Sequence, residues 1–251
     1  MIRSGNEDNF AAEADAQRGL FIVADGMGGH AAGEVASEMA VQIVQRELTG
    51  VRDLENNGVD RVVTDAQKSA NRKIHERTLI EVDKQGMGTT VSVLLIAGRR
   101  YLIGQVGDSR VYLLRDGALT QLTKDHSYVQ EQVDAGFLTP EQARYHPYSN
   151  VITRCVGASP EVEPDVYRGE VKLGDVFLVA SDGLTGMVDD RRLQTLLISR
   201  ATPDRKVHAL ISEANGRGGL DNITAIVVEI ADVDAAKDTP TGPMVTQPRV
   251  P

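Results

Sequence analysis

The chain has 251 residues, 41% of them hydrophobic and 25% charged, which is enough for one layered globular domain with a sizeable core. With no Trp, four Phe and six Tyr, that core must rest on Val, Ile, Leu, Ala and Met. The formal net charge of −9 repels nucleic acid and anionic membrane surfaces; it fits plain solubility, or carboxylates gathered in one place to hold cations.

Leu20 to Ala24 is an apolar run that ends in Asp25-Gly26, and it predicts a buried strand entering a turn. Met27 to Gly33 is glycine-rich. Glu34 to Leu48 carries apolar residues at helical spacing, and Val59 to about Asp83 predicts a second long helix. The period then changes. Thr89 to Ala97, Tyr101 to Val106 and Val111 to Leu114 read as an antiparallel meander with turns near Arg99-Arg100 and Asp108-Ser109. Residues 126–157 are mixed and polar, with short helices expected at Tyr128 to Ala135 and after Thr139, where Pro140 takes the first helical position; they read as a flap over a site. Asp175 to Ala180 is a strand ending in Ser181-Asp182-Gly183. Arg191 to Ser199 and Asp204 to Asn215 are helical by pattern, and Ile223 to Ile230 is a last strand. From Asp232 the chain holds Pro240, Pro243, Pro248 and Pro251 without apolar periodicity. Residues 1–231 are therefore expected to form one domain and 232–251 a disordered tail or linker. Long helices segregated beside a meander argue for stacked α+β layers rather than an alternating parallel fold.

A single cysteine, Cys155, excludes an internal disulfide and makes a reducing cytoplasm the natural setting. It lacks the Cys-to-Arg anion loop of cysteine phosphatases and is expected to be a buried structural residue. No run approaches the roughly 18 apolar residues of a membrane span, and Met1 to Asp8 has no signal-peptide core. A soluble chain that is not exported is the expectation.

Aspartates recur where strands end: Asp25 before Gly26, Asp108 after Gly107, Asp182 before Gly183, Asp221 before Asn222, with Asp8 near the start. One Asp-Gly pair is ordinary turn chemistry. Several, each after an apolar strand, can converge from distant positions, and carboxylates side by side stay ionised only when cations hold them. Hard oxygen donors suit Mg²⁺ or Mn²⁺. The histidines His30, His75, His126 and His146 are scattered and read mostly as surface or flap residues. Without a Cys or His cluster a structural zinc site is excluded, and no phosphate-binding Gly-x-x-x-x-Gly-Lys-Ser/Thr loop is present.

These motifs, taken together, carry a resemblance. Arg3 with Glu7-Asp8, Val23 to His30, Gly88-Thr89-Thr90, Val106 to Arg110, Leu122 to Ser127, Ser181 to Leu184 and Asp221 to Thr224 occur in the order and spacing of bacterial metal-dependent serine/threonine phosphatases of the type 2C class. The chain resembles that class over about residues 3–230. The resemblance implies a central antiparallel β-sandwich flanked by helices, in four layers α-β-β-α, with a flap. It implies hydrolysis of phosphoserine and phosphothreonine in proteins by in-line attack of a metal-activated water, with two or three Mn²⁺ or Mg²⁺ per chain. Asp25 is then expected to bridge two cations, the Gly26 carbonyl to bind the first, and Asp182 and Asp221 the second. Glu7 and Asp8 are expected to support them, partly through water, Asp108 with Asp182 to hold a third, and Arg3 to grip the substrate phosphate. A guanidinium fits phosphate oxygens as a fork.

Two departures from the pattern stand out. Met27 occupies the position where animal relatives carry a histidine, so the general acid is unassigned, with His30 and His126 as weaker candidates. The family also usually has a strand ahead of Arg3; either the sequence is trimmed there or the domain lacks that strand, and a missing strand would leave a sheet edge unpaired. A phosphoprotein-binding module of the same fold and a phosphatase for small phosphoesters are the rival readings. By resemblance the partners are phosphorylated proteins, among them a eukaryotic-like kinase and its targets, and the chain is expected to be a monomer without a membrane partner.

Overall fold

The computed structural model describes residues 5–29, 31–56 and 58–233. Arg3, His30 and the tail from residue 234 therefore lie outside the described residues. Two antiparallel sheets form the centre. The larger runs β1(Asp8–Ala14), β2(Arg18–Met27), β4(Val91–Ala97), β5(Arg100–Val106) and β8(Asp165–Glu170), with the short β3(Gly88–Thr89) paired to the end of β2. The smaller runs β10(Ala225–Glu229), β9(Val176–Ala180), β6(Arg110–Arg115) and β7(Ala118–Gln121).

Strand alternation explains the layers. On β2, Phe21 and Val23 point between the sheets and meet Leu94, Ile103, Phe177 and Val179. Their neighbours Leu20 and Ile22 point outward and are buried under α1(Ala31–Leu48) and α2(Val59–Ile80), against Ala40, Val44, Val63 and Ile74. A strand buried on both faces reads as a continuous apolar run, which is why Leu20 to Ala24 stood out. The outer face of the smaller sheet is covered in the same way. Tyr112, Leu114 and Leu178 pack on α5(Asp182–Thr185), α6(Asp190–Leu197) and α7(Pro203–Gly216) through Leu184, Leu193, Leu197 and Leu210. The expected α-β-β-α sandwich is the observed one.

Several boundaries differ from expectation. The second helix stops at Ile80 and continues as a 3₁₀ turn at Val82–Lys84. Thr90 interrupts the strand expected from Thr89 to Ala97, leaving β3 and β4 as separate pieces. Three strands had no sequence signal. β1 is a half-exposed edge with alternating burial. β7 follows the turn Asp116-Gly117, where both residues adopt positive φ, 51° and 79°, a hairpin geometry. β8 is polar and is held by pairing to β5. In the flap, α3(Tyr128–Asp134) and α4(Pro140–Arg144) form as expected. Ser127 caps the first, and Thr139 with Gln142 makes a capping box on the second.

Candidate active site

The site forms where both sheets end. Asp8 and Asp25 face each other directly across β1 and β2. Asp25 is anchored from below: its N–H donates to Thr90 Oγ1 at 2.9 Å, and its carbonyl accepts from Thr90 N at 2.9 Å and Thr89 Oγ1 at 3.0 Å. Gly26 packs so closely on the backbone of Gly33 and Glu7 that a Cβ would lie 2.1 Å from Gly33 O. Its N–H donates to Glu7 O at 3.1 Å, and Ser37 Oγ donates to the same carbonyl at 2.6 Å. Glu7 and Asp8 are thereby fixed beside Asp25 by backbone contacts.

The smaller sheet delivers the other acids. Asp182 opens α5 at the end of β9, and Ser181 before it ties the sheets together. Ser181 Oγ donates to Asp8 Oδ2 at 2.8 Å and accepts from Thr224 N at 3.0 Å. Asn222, next to Asp221, holds the N-terminal segment: its Oδ1 accepts from Glu7 N at 2.9 Å and its Nδ2 donates to Gly5 O at 3.0 Å. Asp108 follows β5 and, with Asp182 and Asp221, lines an open cleft of about 950 Å³, to which Val129, Tyr145 and Ser149 of the 126–157 segment also contribute.

Electrostatics ties the acids into one cluster. Burial pushes the Asp25 carboxyl well above the usual Asp range, and the nearby Asp182, Asp8 and Asp108 charges push it further. Burial likewise raises Asp108 strongly, with Asp182 and Asp125 adding to it. Asp8 is raised by burial first and by Asp182, against hydrogen bonds from Thr224 and Ser181 that lower it. Buried carboxyl oxygens at Asp8 Oδ1 and Asp108 Oδ1 have no hydrogen-bond partner. Unsatisfied buried oxygens beside mutually repelling acids are a donor set suited to hard cations. Among the described residues no three His, Cys, Asp or Glu side chains form a finished coordination shell. Asp182 is near enough to Asp25 for its charge to add to the rise of the Asp25 carboxyl.

Of the expected site residues, Glu7, Asp8, Asp25, Gly26, Asp108, Asp182 and Asp221 are brought to this end of the sandwich, and Arg3 lies outside the described residues. Thr90, Ser37, Ser181 and Asn222, which position these residues, carried no signal of their own beyond standing in or near the motifs. Two expectations are corrected. His126, which reads as a surface or flap residue and a weaker candidate donor, is 6% exposed, with its ring bonded to Gly107 and Asp165, which removes it as a proton donor in the cleft. Cys155 is half-buried rather than buried, because its loop passes over the edge of β3; burial still pushes its thiol up, which makes it a poor nucleophile.

A layered α-β-β-α sandwich with an acidic cluster at one end, lining an open cleft, is the architecture of a class of metal-dependent hydrolases. The family model described as protein phosphatase 2C matches residues 3–213, and the chain belongs to that family. The chain is similar to the serine/threonine protein phosphatase PstP of Mycobacterium tuberculosis, with 42% identity over 243 residues, 96% of this chain and 45% of PstP. It therefore spans less than half the length of that relative. Among solved structures, the Streptococcus agalactiae serine/threonine phosphatase superposes with a TM-score of 0.84 at 41% identity, covering 91% of this chain and 95% of that one. The catalytic domain of PstP in complex with two manganese ions gives a TM-score of 0.81 at 38% identity, covering 92% and 94%.

Proposed function

We propose that this chain is a metal-dependent protein phosphatase that hydrolyses phosphoserine and phosphothreonine in other proteins. The observation that carries the reading is the convergence of Asp8, Asp25, Asp108 and Asp182 as mutually repelling acids at one end of the sandwich, where Asp108 and Asp182 line an open cleft. Asp25, the Gly26 carbonyl, Asp182 and Asp221 would hold a central pair of Mn²⁺ or Mg²⁺ ions, Asp108 with Asp182 a third, and Glu7 and Asp8 would support them partly through water. When bound, the cations offset phosphate charge and activate water. The chain's own residues do the rest. Thr90, Ser181 and Asn222 fix where the carboxylates stand, and Arg3 is assigned to grip the phosphate.

A protein substrate suits the cleft better than a small phosphoester. The cleft is wide, and its rims carry exposed side chains, Tyr145 at 80% and Leu220 at 57%, with Phe137 at 76% further out on the flap. Such a surface offers contact to a polypeptide and no enclosed pocket for a sugar. We assign phosphoproteins as partners. We assign a eukaryotic-like kinase and its targets by resemblance, a monomeric state, and a cytoplasmic setting that the single Cys155 supports. Among the described residues no helix is long and apolar enough to cross a membrane.

Turnover of a phosphothreonine peptide tests the reading. Activity is expected with Mn²⁺ or Mg²⁺ and none in excess EDTA. Full turnover in EDTA would sink the mechanism, and peptide binding without turnover would favour the binding module.

The raised carboxyls also predict a pH dependence. An acid whose folded pKa lies above its unfolded value contributes stability that is fully present below the unfolded pKa, about 3.9 for Asp, and lost as pH rises through the folded value. Burial and mutual repulsion put Asp8, Asp25 and Asp108 in this position. The cation-free protein should therefore lose stability as pH rises above about 4. Mn²⁺ removes that repulsion, so the rise in Tm on adding Mn²⁺ should grow between about pH 4.5 and 7. Calorimetric scans with and without Mn²⁺ would show it; a Tm shift independent of pH would take these acids out of the site.

A further inference from the structure

His126 belongs to no step described above, yet its ring is buried and bonded on both sides. Its Nδ1 accepts from Gly107 N at 3.1 Å, and its backbone N–H donates to Gly107 O at 2.9 Å. Because Nδ1 is an acceptor, Nε2 carries the proton and donates to Asp165 Oδ2 at 3.1 Å. Arg154 Nη1 lies 3.0 Å from Nε2, but its two hydrogens go to Glu163 O and Asp165 Oδ1, each at 2.8 Å. The ring is thus a neutral imidazole of one tautomer, and burial favours the same form by lowering its pKa.

What it holds is the peptide link into Asp108. Gly107 has φ of 102°, a left-handed conformation, and a Cβ there would lie 2.5 Å from Thr90 Cγ2. A glycine so placed has no side chain to fix its own orientation. Its two flanking peptide units are set by His126, with Gln105 Nε2 adding a second donor to Gly107 O at 3.0 Å. His126 in turn sits at the base of the flap, where its carbonyl accepts from Thr153 N at 2.8 Å.

We propose that His126 is a positioning residue for Asp108: it grips both peptide units around Gly107 and so couples the base of the flap, through Asp165 and Arg154, to the carboxylate assigned to the third cation. The inference rests on that assignment of Asp108. It differs from a general-acid role, because both ring nitrogens are engaged away from the cleft.

Isosteres separate this role from packing. Asparagine places its Oδ1 where Nδ1 stands and keeps the acceptor for Gly107. Glutamine reaches the Nε2 position and loses it, although it fills the space better. Manganese titration by calorimetry of the full chain should show the weakest binding step of His126→Gln weakened by about 10-fold, the worth of one hydrogen bond, with kcat lowered and KM little changed. His126→Asn should restore most of both. In an Asp108→Ala background the difference between Asn and Gln should vanish, because the group being positioned is gone. Should His126→Gln not fold, Asp165→Ala reads the same chain from β8, with an expected weakening of about 3-fold in the same binding step. Asn and Gln variants that bind Mn²⁺ alike, or a difference that survives in Asp108→Ala, would overturn the inference. The titration reads the clamp even if no phosphatase turnover is found, so its failure and that of the proposed activity are distinguishable.

Discussion

Asp182→Asn is expected to lower kcat on a phosphothreonine peptide by on the order of 10³-fold or more, which corresponds to about 4 kcal/mol in the barrier. Asp182 acts on three of the other acids: its charge raises Asp8, Asp25 and Asp108 together. A residue so placed can share a cation with either neighbour, and the amide keeps its shape while removing its charge. The same substitution should act on stability with the opposite sign. Without cations the Asp182 charge opposes ionisation of three buried neighbours, so its removal relieves repulsion at neutral pH. Asp182→Asn in EDTA should therefore melt no lower than the unaltered chain, and higher as pH rises toward 7 or so. Turnover falling while Tm holds or climbs is the signature of a charge placed for function. Activity within 10-fold of the unaltered chain would remove Asp182 from the centre.

That Asp25, Asp108 and Asp182 would gather at strand ends was legible because each follows an apolar run, and such runs mark strands buried on both faces; Asp8 instead opens β1, and Asp221 precedes β10. The layers were legible for the same reason. What the sequence did not disclose are features defined by contact. β8 has no apolar run; its place comes from pairing Asp165 to Glu170 with Gln105 to Arg100 on β5. β1 is short, rich in Ala and polar residues, and becomes a strand because Asp8 to Ala14 pairs with the buried β2. Ser181 reads as part of an ordinary turn at a strand end until its hydroxyl is seen to join Asp8 and Thr224 across the two sheets. His126 reads as a flap residue because nothing local shows that Gly107, 19 residues earlier, needs an acceptor for its N–H. Local pattern reports burial and turns; it does not report which distant polar groups satisfy one another.

Gly183→Ala is expected to be nearly as damaging as loss of a ligand, through shape alone. A Cβ at Gly183 would lie 1.9 Å from Asn222 O and 2.9 Å from its carbonyl carbon, and 3.4 Å from Asp221 Cβ. Backbone cannot yield as a side-chain tip can, so the loop from Asp221 to Asn222 must move away from α5. Asp182 and Asp221 then separate. Asn222 carries with it the amide that holds Glu7 N and Gly5 O, so the N-terminal segment loses its anchor as well. A shift of about 1 Å in a positioned group costs on the order of 10²-fold in rate, and overpacking of this kind costs roughly 1–3 kcal/mol in stability. Both kcat and Tm should fall, and Mn²⁺ should bind more weakly. Gly216→Ala is the control. It ends α7, a Cβ there meets nothing within 4 Å, and alanine favours the helix, so turnover should be unchanged and Tm equal or slightly higher. If Gly183→Ala matched Gly216→Ala in turnover and melting, the close approach of the two loops would have no part in holding Asp182 and Asp221 together.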